Sequence, residues 1–330
     1  MRGKKMIKKE VKVSLLYELE NLHHVVVQVA YVDGESVYAL QLLHKQTDIA
    51  VYHGNARGKK VYFDPHFPHV YLTDKAGGHT QTFTYSGSGH KWYIGTKHQK
   101  SGHTLWDIQI ARVDLDVYPI QHDSNTQMVR LSHLNRAGAT YGDGSVQYEG
   151  KLYERMEAAV SPDLQTFLVA TIDLNHVGHF AIYDNNLIQE KMDEAEASHA
   201  NVNIEDIPCL GAFTIPHFNQ YPLKSIQGYA IDNDANIYVS SQPSPKPGLF
   251  GHYKQQSPRE IVKIPWCEAD SKKWSVADLD REKVIDQFGF ATEFEGIQVS
   301  ESGDLYLIVA YHAKDNGTTL KNRIYRISGL

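Results

Sequence analysis

The chain repeats itself, and internal repetition constrains a fold more than any other feature of a sequence. A Gln or Glu followed by a small residue opens a short alternating strand. A polar turn follows, and then a second strand. The openings are Gln81-Thr82, Glu157-Ala158, Gln227-Gly228 and Glu295-Gly296, spaced 76, 70 and 68 residues apart. In the clearest unit, Ile226 to Asp232 leads through Asn233-Asp234-Ala235-Asn236 into Ile237-Tyr238-Val239-Ser240-Ser241. Its counterpart runs from Phe294 to Val299, turns through Ser300 to Asp304, and continues Leu305-Tyr306-Leu307-Ile308-Val309. The unit at Glu157 turns at Ser161-Pro162-Asp163 into Phe167-Leu168-Val169-Ala170. The unit at Gln81 is slightly longer and reaches Tyr93-Ile94-Gly95.

Third strands are expected at Ile108 to Val113, His179 to Tyr183, Ile261 to Ile264 and Ile324 to Ile327. Short β-rich runs separated by Gly, Asn, Asp and Pro are hairpin signals. Residues 24 to 53 form a fifth, degenerate unit whose second and third strands are Val37 to Leu42 and Asp48 to Tyr52. It lacks the polar opening, because Val27 stands at the matching place. Radial repetition of small antiparallel sheets predicts an all-β fold, a β-propeller with five blades over residues 1–330 as one domain. Dividing 330 residues by five gives 66 per blade, close to the observed spacing. The competing architecture, a two-sheet sandwich, would not order its strands in recurring groups. Asn185 to Asp206, rich in Glu, Ala, Lys and Asp, reads as a loop or short helix between blades, and Asp278 to Phe288 as a second insertion.

If the first strand of each unit is innermost, Gln81, Glu157, Gln227 and Glu295 approach a central channel, where their small neighbours permit close contact. Such a set could hold a polar small molecule or, through oxygen ligands, a hard cation such as calcium. Equally, these side chains could serve the fold by hydrogen bonding to neighbouring blades, as buried polar groups usually do. Other motifs dissolve on inspection. Asp232, Asp234 and Asn236 imitate the start of an EF-hand loop, but Ile237 stands where Gly is needed and Pro243 where the bidentate Glu is needed. Gly77-Gly78-His79-Thr80-Gln81 lacks the Lys-Ser/Thr end of a phosphate loop, and Gly142-Asp143-Gly144-Ser145 reads as a turn. There is no catalytic motif of the GxSxG or HExxH type, so the chain does not read as an enzyme.

The chain carries 33 Lys and Arg against 39 Asp and Glu, a formal charge of −6, which gives no electrostatic footprint for nucleic acid. No apolar run is long enough for a membrane span. The basic start, Met1 to Glu10, resembles the opening of a signal peptide, but Val11 to Glu18 alternates and contains charge. Residues 1–20 therefore read as a basic tail leading into a strand. Cys209 and Cys267 fit no metal pattern and could be either reduced or paired. The 18 His are the compositional surprise: protonating all of them would move the formal charge from −6 to +12. His66, His69, His90, His98 and His103 cluster with six Lys between residues 59 and 103, an expected pH-responsive surface patch.

Several stretches resemble the helveticin J family, large heat-labile bacteriocins of lactic acid bacteria. They include Ala76 to Thr82, Gln109 to Leu115, Leu134 to Gly138, Glu157 to Asp163, Ser225 to Tyr229 and Val309 to His312, in collinear order from about residue 25 onward. The resemblance implies an antibacterial protein, secreted or surface-associated without an ordinary cleaved signal. Its partner would be an envelope or carbohydrate component of related bacteria, and no cofactor or catalytic residue is implied. A lectin-like or adhesin-like wall binder that does not kill is the alternative, and a metal-dependent propeller hydrolase is a third.

Overall fold

Ile237–Ser241 and Leu305–Ala313 are rich in β-branched and aromatic residues, and polar turns bound both. Such runs pack well on a pleated surface, and the turn residues between them reverse the chain. Before Ile237–Ser241, the Asp232 Oδ1 accepts the N–H groups of Asp234 and Asn236 at 3.0 and 2.8 Å. The Tyr238 hydroxyl donates to Oδ2 of the same carboxylate at 3.0 Å. The stretch that imitates a calcium loop is thus an aspartate-anchored turn between two strands.

A computed structural model describes residues 6–96, 99–101, 104–107, 109–140, 150, 153–220, 222–248 and 251–330. The Gly142 to Ser145 run lies outside them. The protein is an all-β chain of the β-propeller class, and its described residues form successive antiparallel sheets and one twelve-residue α-helix. Contacts divide it into two compact units: residues 1–42, 51–68 and 222–330 form one, residues 43–50 and 69–221 the other.

In the first unit, Val27–Asp33 pairs antiparallel with Ser36–Leu43. Ile226–Ile231, Ile237–Ser241, Glu260–Ile264 and Ser275–Asp278 form a four-stranded meander. Phe290–Val299, Leu305–Ala313 and Thr319–Ser328 form another, completed by Lys12–Glu20 on the outer edge of the last strand. The expected N-terminal strand is therefore present and belongs to the C-terminal sheet. Phe294, Leu307, Tyr311 and Tyr325 are fully buried in its core, with Leu15 packed against them. Residues 279–289 reach this sheet through turns and contain no helix.

In the second unit, Phe83–Tyr85, Lys91–Gly95, Ile110–Asp114 and Val129–Ser132 pair in sequence. Tyr153–Val160, Thr166–Asp173, Gly178–Asp184 and Cys209–Ile215 follow in the same way. Ile188 and Met192 of the helix Asn185–Glu196 are wholly buried with Tyr93, Ile110 and Phe167 in one core. The two cysteines are free, Cys209 buried and Cys267 exposed.

Candidate functional site

The structure brings Gln81 and Glu157 together. Glu157 sits mid-strand and is 3% exposed, so its carboxylate needs partners. The Oε2 accepts the backbone N–H of Gln81 at 3.1 Å and the Thr82 hydroxyl at 2.7 Å. The Thr82 Oγ1 in turn accepts the N–H of Ala158 at 2.9 Å. Arg155 bridges the two, reaching Glu157 Oε1 at 3.3 Å and bonding to the Gln81 side-chain oxygen. Beside them, burial pushes the His79 imidazole below its usual range; Glu157 opposes that shift and Arg155 adds to it. The small residue after each opening has a local reason, since Thr82 and Ala158 form the contact between two first strands.

Gln227 and Glu295 belong to the other unit, where the meeting is made by backbone. Both lie at register shifts: Gln227 between Ile226 and Gly228, Glu295 between Phe294 and Ile297. A bulge of this kind bends a strand and re-aims its side chains. A Cβ on Gly228 would stand 2.7 Å from the Gly296 Cα, and one on Gly296 would stand 2.8 Å from the Gln28 carbonyl oxygen. Ser240 links the strands as well, accepting the Gly228 N–H at 2.9 Å and donating to the Glu295 carbonyl at 2.5 Å. The Gln227 amide donates to the Gln242 carbonyl at 3.0 Å. Gln28 occupies the third bulge, between Val27 and Val29, and is 6% exposed. The first sheet therefore does carry a polar residue at this place. Strict ten-residue spacing missed it because four residues, rather than five, separate Val32 from its partner Val37, whereas five separate Ile231 from Ile237.

Among the described residues, no three His, Cys, Asp or Glu side chains gather into a group able to hold a metal ion. Of the expected pH-responsive set, His66 and His90 are exposed and His69 is half-buried. His69 packs its ring on Tyr118 with centroids 4.1 Å apart, and the His90 Nδ1 lies 3.4 Å from the Asp116 carboxylate. His98 and His103 lie outside the described residues.

A cleft that the sequence did not announce lies in the second unit. One cavity, of about 340 Å³, is walled by Val113, Val117, Ile120 and Met128, with Arg112, Asp114, Glu196 and His199 also lining it. A second, of about 320 Å³, is lined by Tyr71, Thr73 and Asp123. Gln121, His122 and Gln127 border both, so the two adjoin. Short strands position this border: Ile120–His122 pairs parallel with Val70–Leu72, and the Thr73 N–H donates to the His122 carbonyl at 2.9 Å. Burial, and then the neighbouring His199, hold His122 below the usual imidazole range. Most of its lining comes from residues 112–129, where no spacing of residue types flags a site, and Tyr71, Thr73, Glu196 and His199 join from elsewhere in the chain.

A family described as bacteriocin helveticin-J matches residues 7–330 of this chain. Bacteriocin helveticin-J of Lactobacillus helveticus is 36% identical over 342 residues, spanning 96% of this chain and 97% of that protein. Among solved structures, a GH43 β-xylosidase/α-arabinofuranosidase from a compost microbial metagenome is similar at a TM-score of 0.47 and 11% identity, over 97% of this chain and 95% of that one. The β-propeller domain of the Trilobed protease from Pyrococcus furiosus is similar at 0.33 and 10% identity, over 92% and 84%. Structural likenesses at these scores assign no activity.

Proposed function

Because this chain belongs to the helveticin-J family of bacteriocins, we propose that it inhibits the growth of related bacteria by binding a component of their envelope, without catalysing a reaction. The observation that carries this reading is the relationship to a bacteriocin along nearly the whole of both chains. A rigid scaffold of small sheets, with exposed turns between strands, offers surface for recognition rather than a deep catalytic pocket. Secretion follows from such a role, since the target lies outside the cell.

Mild acid strengthens the interaction in this reading. Exposed His66 and His90, and half-buried His69, are the described members of the patch, and imidazole is the side chain that mild acid charges. The Asp116 carboxylate lies 3.4 Å from the His90 Nδ1, and His69 lies against the Tyr118 ring. His53 and His79 are held neutral to lower pH by burial, so the gain comes from the exposed histidines. A protein of formal charge −6 then loses its negative excess and is drawn to anionic wall polymers.

Purified protein added to cultures of related bacteria, buffered at about pH 7 and about pH 5, tests both parts. The expected result is inhibition that strengthens in acid, together with wall sedimentation that salt weakens. Sedimentation with cell walls and no inhibition at any dose would identify a non-killing wall binder instead. Wall binding that is equal at both pH values and insensitive to salt would remove the histidines from the account.

A further inference from the structure

We propose that the two adjoining cavities of the second unit form a binding cleft for a neutral pyranose unit of a surface glycan. The ring's C–H face would lie on the Val117 side, and its hydroxyls on Gln121, Asp123 and Gln127. The inference rests on the envelope-binding reading and names the chemistry of what is bound.

The walls divide by polarity. Val113, Val117, Ile120 and Met128 make one side apolar, whereas Thr73, Gln121 and Asp123 make the other polar. A pyranose has the same division, with aliphatic C–H faces and a rim of hydroxyls. Each cavity reaches the ~300 Å³ at which small-molecule sites begin, and together they accept more than one ring. Val117 is 69% exposed and Tyr118 45% exposed, an apolar lip that the cost of hydrating such groups would otherwise disfavour. His69 packs on the Tyr118 ring and steadies that lip.

The polar side is preorganised. Ser124 caps a short 3-10 turn, and the Gln127 Oε1 accepts the N–H groups of Asp123 and Ser124 at 3.1 and 2.9 Å. That fixes the Gln127 amide and leaves its Nε2 as a donor. Gln121 and Asp123 are exposed, with amide and carboxylate groups able to bridge vicinal hydroxyls. The Tyr71 hydroxyl is held by the Asp48 carboxylate at 2.9 Å, which keeps that wall in place.

Charge selects against an anionic ligand. The Arg112 guanidinium is buried and committed to Asp193 and Glu196, at 2.6 and 2.9 Å. Asp114 and Asp123 add negative charge to the lining, and His122 is kept neutral by burial and by His199. Among the described residues of the lining there is no Lys, and its Arg is already paired, so an uncharged sugar fits best.

The test titrates the full chain with neutral trisaccharides of glucose, galactose and N-acetylglucosamine, and with a glycerol phosphate oligomer, by calorimetry. At least one neutral trisaccharide should bind saturably. Gln121→Ala and Val117→Asp should each weaken it roughly tenfold, the loss of about one good contact, with unchanged thermal melts. Both sites are surface positions, so folding is preserved. Failure of every neutral sugar, tighter binding of the glycerol phosphate oligomer, or unchanged affinity in both variants would overturn the proposal. Growth inhibition measured on the same preparations separates the two readings. Inhibition without sugar binding overturns the cleft and leaves the antibacterial function standing. Sugar binding without inhibition of any strain does the reverse.

Discussion

Gly228 and Gly296 show how much a single missing Cβ decides. Both are followed within 3.0 Å of the notional Cβ by backbone atoms of another strand, which cannot swing aside. Gly228→Ala should therefore destabilise the protein by roughly 1–3 kcal/mol, the usual cost of overpacking a rigid contact, as read by urea denaturation. A loss of under about 0.5 kcal/mol would mean that the strands can separate without penalty. Glu260 gives a second expectation at this scale. It is 8% exposed and faces Asp278 across the strand pair. Burial, then Asp278 and Asp280, push its carboxyl up to about 7 from 4.5, while Lys224 and Lys8 pull it down. The folded state thus holds this proton more tightly than the unfolded chain. Its stabilising contribution is complete below about pH 4.5 and is lost as pH rises through about 7. Glu260→Gln should flatten that part of the profile and raise the melting temperature at pH 8; thermal melts from about pH 5 to 8 decide it. Glu157 marks the limit of reading from sequence. Its unusual position was legible, but its partners Gln81 and Thr82 lie more than seventy residues away, and only packing brings them within 3.1 Å.

At the scale of elements, the helix Asn185–Glu196 is the clearest case. Composition marked the segment as an insertion, and the local signals for a helix start were present. Asp184 accepts the N–H groups of Asn186 and Leu187, satisfying two donors that a helix start leaves free. Where the helix docks was not legible, because its anchor is Arg112, on a strand about eighty residues earlier. The Arg112 guanidinium is wholly buried and shares Asp193 and Glu196 with Lys91. Arg112→Ala should cost roughly 3 kcal/mol, because it leaves two carboxylates with one cation and opens a void against the sheet. Denaturant midpoints measure this, and a loss no larger than that of a surface Lys91→Ala would show the cluster to be solvated rather than structural. The first three strands of the units were legible, but the fourth strands Val129–Ser132, Cys209–Ile215 and Ser275–Asp278 were not, and the opening at Gln28 was passed over. The hairpin turn after Gln28 is one residue shorter than the one after Gln227, so a rule of fixed spacing lands on Val27 instead.

For the whole molecule, the pairing of Lys12–Glu20 with Thr319–Ser328 joins the two ends of the chain in one sheet. Val13 and Leu15 of the early strand pack on the core formed by the late ones. Deleting residues 1–20 should uncover a hydrogen-bonding edge and lower both the melting temperature and the solubility. Calorimetry and light scattering against the full chain check this, and an unchanged melt would make the strand dispensable. The histidines also belong to this scale. By formal count all 18 can charge together. In the folded chain, burial holds His53, His79 and His122 neutral to lower pH, while Asp173 and Glu293 lie within 3.0 Å of His179 and His312. The sequence by itself determined the first three strands of the units, the propeller class and the family, because alternation, turn chemistry and collinear motifs are local properties of a chain. Only the tertiary structure decided which polar openings meet, which histidines burial keeps neutral, and where a cleft opens. Each of those depends on burial and on partners that folding brings from distant parts of the chain.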